Sequence, residues 1–250
     1  MAQLAELVAH CQERLRIPEF PDYPGAMNGL QVENNGQVRK VGAAVDAGLE
    51  PFRRAVAAGV EFLVVHHGLF WGETQMWTGR VREKQELVLR GNLAVFSAHL
   101  PLDAHPELGN NAILARRLRL TKPQGFMPFE GRNTGLIGEF GGSRVELRRG
   151  LDALFPRVTA LEYGSETPAR VAVLTGGGYN IDGELAEAGV DTLVTGELKE
   201  HFFNRAQEER LNLYACGHYA TEVFGVCALA EELATRFGLP WEFINTQNPL

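Results

Sequence analysis

Apolar and polar positions change period along this chain, and the changes mark elements. Residues 41–66 (VGAAVDAGLEPFRRAVAAGVEFLVVH) open with a short run rich in Val and Ala, pass a glycine at Gly48, and continue with helical spacing. The helix signal ends at Ala58-Gly59-Val60-Glu61 and gives way to the apolar run FLVV. Residues 171–196 (VAVLTGGGYNIDGELAEAGVDTLVTG) repeat the pattern at an offset of 130 without a gap. There the turn is Gly176, Gly177 and Gly178, and the helix ends at Ala188-Gly189-Val190-Asp191. Both stretches predict strand–helix–strand. The glycine after each helix supplies a left-handed cap, and β-branched apolar runs suit strands covered on both faces.

The likeness continues downstream. A helix-like stretch, a strand (NLAVFSA) and His99 with Asp103 four residues later follow the first unit. A helix-like stretch, a strand (LNLYACG) and His218 with Glu222 four residues later follow the second. Each is succeeded by a helical pattern, NNAILARRLRL or VFGVCALAEELATRF. A gapless match and a repeated His-x-x-x-acid are independent coincidences, so duplication is the better explanation than the general likeness of α/β proteins. The fold expected is α/β, layered α/β/α, with two lobes built from the duplicated unit. Residues 121–170 begin with the Pro/Gly-rich TKPQGFMPFEGRNTG, which reads as a lobe boundary. A strand (LIGEF), a turn (Gly141-Gly142) and a helix (VELRRGLDALF) follow. These signals place a first lobe at 1–125, with 222–250 packing back on it, and a second at 126–221. The chain's start, MAQLAELVAHCQERL, predicts an amphipathic helix with Leu4, Leu7, Val8 and Leu15 on its apolar side.

Charge narrows the function. With 24 Lys and Arg against 31 Asp and Glu, the formal net charge is −7, and no basic face suited to duplex nucleic acid stands out. Arg116-Arg117 and Arg148-Arg149 read as solvated charges. Cys11, Cys216 and Cys227 form an odd set without C-x-x-C, which fits a reducing, cytoplasmic setting and not a disulfide framework. No secretory leader and no run long enough to span a bilayer are apparent.

The residue types that carry chemistry gather after the strands. His66 and His67 end the run FLVV, and strand tips in α/β sheets are where ligands collect. Neighbouring side chains of an extended strand point to opposite sides. The two rings are therefore expected to serve different ions. Pro101 excludes a regular helix through the middle of His99-x-x-x-Asp103, so that spacing is expected to be a loop spacing. Asp103 is a candidate carboxylate ligand, and His99 a ligand or a base behind the ligands. His105, before Pro106, reads as a loop hydrogen bonder. His218 and Glu222 fall on one face if a helix starts there; a buried histidine beside a capping glutamate is the plainer alternative. Glu197, Glu200 and His201 occupy the second copy's strand tip, and an acidic helix start explains them equally well. Cys216 reads as a core residue. The triple glycine lacks the Gly-Lys-Ser/Thr of a phosphate loop and reads as a tight turn. Metal binding by His66, His67, Asp103, His218 and Glu222 is the expectation, in a site where the two halves meet. Nitrogen and oxygen donors suit zinc, iron, manganese, cobalt or nickel.

The ordered motifs Asn28-Gly29-Leu30-Gln31-Val32, VDA (Val45–Ala47), VHHGLFW (Val65–Trp71), HLPLDAHPELGNNA (His99–Ala112), TGE (Thr195–Glu197), GHYATE (Gly217–Glu222) and NPL (Asn248–Leu250) cover nearly the whole chain. Together they resemble the NIF-three-like dinuclear metal-centre family, also described as GTP cyclohydrolase I type 2 homologues. The resemblance implies a two-lobed α/β fold, a toroidal homohexamer and two divalent ions per chain, held by the same five residues. It also implies a metal-dependent hydrolase in which water attacks the purine ring of a nucleotide or a related heterocycle. For such a reaction the residues themselves offer His99 or Glu197 as proton shuttle. The alternative is a non-catalytic protein that binds or delivers metal, or an adaptor. Phe70, Trp71, Met76 and Trp77 are candidates to cover the site or meet another subunit.

Overall fold

The computed structural model describes residues 1–72, 75–177, 181 and 183–250. Gly178, part of the triple-glycine motif, lies outside the described residues. The chain divides into two compact units, 1–102 with 225–247, and 103–224 with 248–250.

The first unit begins with β1 (Ala2–Gln3) and the amphipathic α1 (Leu4–Leu15), which buries Leu4, Leu7, Cys11 and Leu15. Next come β2 (Gly29–Val32), β3 (Gln37–Val38), β4 (Val41–Asp46), α2 (Leu49–Ala57), β5 (Phe62–His67), α3 (Gly79–Arg90) and β6 (Ala94–Ser97). Strands β4, β5 and β6 are parallel, and β2 closes the β6 edge antiparallel. One face of the sheet, from Ala44, Leu63, Val65 and Val95, packs on Phe52 and Ala55 of α2 and Val88 of α3. Gly59 ends the first helix signal with φ +73°, as the sequence requires.

The second unit holds α4 (Leu100–Asp103), shared at its start with the first, and α5 (Asn110–Arg117), β7 (Thr121–Phe129), β8 (Arg132–Glu139), α6 (Arg144–Leu154) and β9 (Thr159–Glu162). It continues with β10 (Arg170–Gly177), α7 (Glu184–Glu187), β11 (Thr192–Glu197), α8 (Phe202–Glu208), β12 (Asn212–Ala215) and α9 (His218–Thr221). Its sheet runs β7-β8-β10-β11-β12-β9, with β10, β11 and β12 parallel. Alternate residues sort to opposite faces. Val171, Val173, Val194 and Tyr214 meet α5 and α6 through Leu114, Leu118, Leu147 and Leu151. Ala172, Leu174, Leu193 and Leu213 meet α7 and α8 through Leu185, Phe202 and Ala206. This unit is therefore a three-layer α/β/α sandwich. Ser143 and Glu146 form a reciprocal cap at the start of α6.

The remaining segment supplies α10 (Val223–Phe237) and β13 (Trp241–Phe243), which returns to pair parallel with β4 in the first unit. Glu232 of α10 binds His10 at 2.7 Å and Arg14 at 3.2 Å on α1.

The repeat is visible in the registers. Val41 pairs with Phe62 and Val171 with Thr192, so both pairs carry the same offset of 130. In both units an antiparallel strand lies beside the third parallel strand, β2 on β6 and β9 on β12. Two local expectations change. TKPQGFMPF is not a linker but edge strand β7, and the boundary at 125/126 falls inside it. Pro123 and Pro128 are tolerated because an edge strand can lack donors on its outer side, and the register shifts between Thr121 and Gln124. His99-x-x-x-Asp103 is not a loop either. Pro101 sits in the first turn of α4, where no intrahelical N–H is required.

Replacing the fully buried Phe52 with Ala should cost about 3–5 kcal/mol, whereas Arg53→Ala, half-exposed beside it, should change stability by less than about 0.5 kcal/mol. Urea denaturation midpoints of the two variants check the contrast.

Candidate metal centre

In both sheets the candidate donors stand at the carboxyl ends of parallel strands. Asp46 ends β4, His67 ends β5, and His99 follows β6. In the second unit Gly177 ends β10, Glu197 ends β11, and His218 opens α9 after β12.

The first unit gathers three imidazoles. His66, His67 and His99 offer ring nitrogens that all lie within 4.8 Å of one another, a spacing able to hold a metal ion. The ring centroids of His66 and His67 are 4.9 Å apart, and those of His66 and His99 also 4.9 Å. The opposite-side expectation for His66 and His67 thus does not keep their rings apart: His67 is the last residue of β5, where the pleat ends.

Each ring is held from behind. His66 Nδ1 donates to the carbonyl of Ala98 at 2.9 Å. A carbonyl can only accept, so the proton is on Nδ1 and the lone pair on Nε2. His67 Nδ1 donates to Asp46 Oδ1 at 2.8 Å, across the strand pair that sets these residues side by side. His99 Nδ1 donates to Asp22 Oδ1 at 2.8 Å. Asp22 is the hub behind His99. It also accepts from Tyr23 N at 2.7 Å, Asn28 Nδ2 at 2.8 Å and Leu100 N at 3.1 Å, while Asn28 Oδ1 accepts from His99 N at 2.7 Å. Burial opposes ionisation of Asp22, but these donors, His99 foremost, hold its carboxyl below the usual range. Gln31 receives Leu69 N at 2.6 Å and so fixes the chain just past the histidines.

The second unit presents carboxylates and one imidazole. Asp103 is buried, with Oδ1 accepting from Asn110 Nδ2 at 2.7 Å and Thr175 Oγ1 at 3.4 Å. Asn111 ties Asp103 O, Thr134 O and Thr175 N together. His218 is gripped on both sides: Nδ1 lies 3.1 Å from Glu197 Oε1, and Nε2 lies 3.1 Å from Glu222 Oε1. Burial alone would lower the His218 pKa. Glu222, and then Glu197, outweigh it and push it up to about 9. Gly176 and Gly196 give these side chains room. A β-carbon on Gly176 (φ +70°) would collide with Glu222 Oε1 and lie 3.2 Å from His218 Nε2; one on Gly196 would lie 2.8 Å from His218 Cα.

Other candidates fall outside. His105 Nδ1 accepts from Glu107 N at 3.2 Å and Leu108 N at 3.0 Å, the loop-closing role expected of it. The His201 ring lies against Phe202, and among the described residues neither it nor Glu200 joins a group able to hold a metal. Cys216 is core, and burial pushes its thiol up to about 12. Trp71 stands edge-on to His99, with centroids 4.8 Å apart. Asp22, Asp46, Asn110 and Thr175 join the site residues that the sequence offers as candidates. Asp46 and Asn110 lie in motif runs that signalled them, but Asp22 carries no local signal.

The sequence model of the family described as Duf34/NIF3 (NGG1p interacting factor 3) matches residues 2–249. The chain belongs to the Duf34/NIF3 family. Among its relatives in this family, the GTP cyclohydrolase 1 type 2 homolog of Deinococcus radiodurans is 39% identical over 248 residues, covering 96% of this chain and 92% of the relative. The structure of TTHA1606 from Thermus thermophilus superposes with a TM-score of 0.88 at 40% identity, covering 100% of both chains. The protein ybgI, described as of unknown function, superposes at 0.90 with 36% identity over 100% of both chains. The Duf34/NIF3 fold is thus shown over the full length.

Two outcomes follow from the geometry. In metal-free protein the His218 pKa is raised above that of the unfolded chain. Its stabilising contribution is therefore full below about pH 6.5 and is lost as pH rises towards 9. Melting temperatures of chelator-treated protein should fall over that window, and His218→Gln should flatten this part of the profile. Gly176→Ala should displace the Glu222 carboxylate and weaken divalent-ion binding about tenfold or more, read by competition with a chromogenic chelator.

Proposed function

We propose that His66, His67, Asp103, His218 and Glu222 hold a pair of divalent ions, and that the protein is a metal-dependent hydrolase acting on a nucleotide or a related heterocycle. One observation carries this reading. The Nδ1 atoms of His66, His67 and His99 all face a carbonyl or carboxylate acceptor, which leaves Nε2 as the atom with the lone pair, and His218 Nδ1 faces Glu197 in the same way. Histidines that ligate metal are held in this way, since the acceptor fixes the tautomer and raises the basicity of the other nitrogen. The donor set of imidazoles and carboxylates, without thiolate, suits zinc, iron, manganese, cobalt or nickel.

The ions, when bound, supply Lewis acidity and lower the pKa of a coordinated water. The chain's own residues supply the rest. Asp22 holds His99 with Nε2 ready to take a proton, and Glu197 steadies His218. The name of the Deinococcus radiodurans relative, GTP cyclohydrolase 1 type 2 homolog, supports water attack on a purine ring with loss of formate as the reaction to try first. No described helix is long and apolar enough to cross a membrane. Three free cysteines fit a cytoplasmic setting. The exposed Phe70, Trp71, Met76 and Trp77 support a homo-oligomer, which we take to be a hexamer.

Elemental analysis of purified protein should find two divalent ions per chain, and Asp103→Ala should lose at least one of them. Metal-loaded protein should release formate from GTP or a related heterocycle. Unchanged metal content in the Asp103 variant refutes the ligand set. Metal transfer to an apo-acceptor with no turnover on any heterocycle replaces the hydrolase with metal delivery.

A further inference from the structure

At the end of the second sheet opposite Gly176 lies a cavity of about 770 Å³. Its size falls in the range of small-molecule sites. Arg117, Arg119 and Arg149 stand on its wall, and Leu118, Leu147 and Phe140 supply apolar surface. These arginines come from one helix end and one helix face: Arg117 closes α5, Arg119 lies just beyond it, and Arg149 stands on α6. In sequence they look like scattered solvated charges; the fold brings them around one hollow.

Three features distinguish this hollow from ordinary surface. First, none of the three guanidinium groups has a carboxylate partner within salt-bridge distance among the described residues. By contrast, Arg148 on the same helix is paired with Asp152 at 2.9 Å. Arg117 is instead set over the Phe224 ring, 5.0 Å from its centroid. Second, the one acid in the wall, Glu146, is already engaged by Ser143 N at 2.7 Å and Ser143 Oγ at 2.8 Å. Third, Gly150 lines the cavity from inside α6, where glycine costs about 1 kcal/mol relative to alanine. Packing does not demand it: a β-carbon there would sit 3.6 Å from Leu118 Cδ2, an ordinary contact.

We infer that this cavity binds a phosphate monoester with an apolar or aromatic body. Three guanidinium groups against one engaged carboxylate leave an excess of about two positive charges, which matches the near-dianionic phosphate at neutral pH. The planar fork of arginine suits phosphate oxygens. The Leu118, Leu147 and Phe140 surface would take the organic part. The inference is independent of the metal centre.

Phenyl phosphate is the probe, titrated into the full chain and followed by amide chemical shifts. Shifts should concentrate at Gly141, Gly142 and Gly150. Binding should be several-fold tighter than for inorganic phosphate and should weaken with added salt. Arg119→Gln and Arg149→Gln should each weaken it about tenfold, with unchanged melting temperature because both side chains are exposed. Equal binding of phenol, equal binding of inorganic phosphate, shifts located elsewhere, or unaltered affinity in both arginine variants would each overturn the inference.

Discussion

An imidazole has two nitrogens, and a neutral ring can offer only one lone pair in its plane. The other must carry a proton, and that proton must be given to something. In this protein the second demand is met first: a carbonyl or carboxylate stands behind each of His66, His67, His99 and His218. The consequence runs outward through the fold. Asp46 must end β4 opposite His67, Ala98 must follow β6 beside His66, and the loop carrying Asp22 must cross under His99. Strand register and loop path are thereby tied to the orientation of four rings.

The duplicated unit shows how one scaffold was put to two uses. By the common offset, Asp46, His66 and His67 correspond to Gly176, Gly196 and Glu197. At two of these three positions the second unit carries glycines, and it brings His218 and Glu222 in from α9 and the residue after it, close against bare backbone; Glu197 keeps a side chain and holds His218. At Asp46/Gly176 and His66/Gly196 corresponding positions thus perform different tasks: side chain in one unit, space in the other.

Much of this was legible in the sequence because it was local or periodic. The repeat, the capping glycines Gly59 and Gly189, the histidines at the tip of β5 and the family motifs needed no tertiary information. What escaped was set by long-range contact. Asp22 meets His99 across 77 positions, and no local pattern distinguishes it from any loop aspartate. The strand β7 was hidden by Pro123, Gly125 and Pro128, residues that only an edge position tolerates. Pro101 has the signature of a helix breaker yet starts a helix, since the sequence does not say in which turn a proline falls.

The first unit is interrupted and the second almost continuous. Strand β13 and most of α10, which complete the first unit, are made more than a hundred residues after β6. On the ribosome, the three clustered histidines therefore exist for some time on a sheet that lacks an edge strand. Residues 103–224, all of the second unit but 248–250, can settle while residues 225–247 are still in the exit tunnel. Synthesis order thus defers a fully framed histidine cluster until Trp241–Phe243 have been made, long after the histidines themselves.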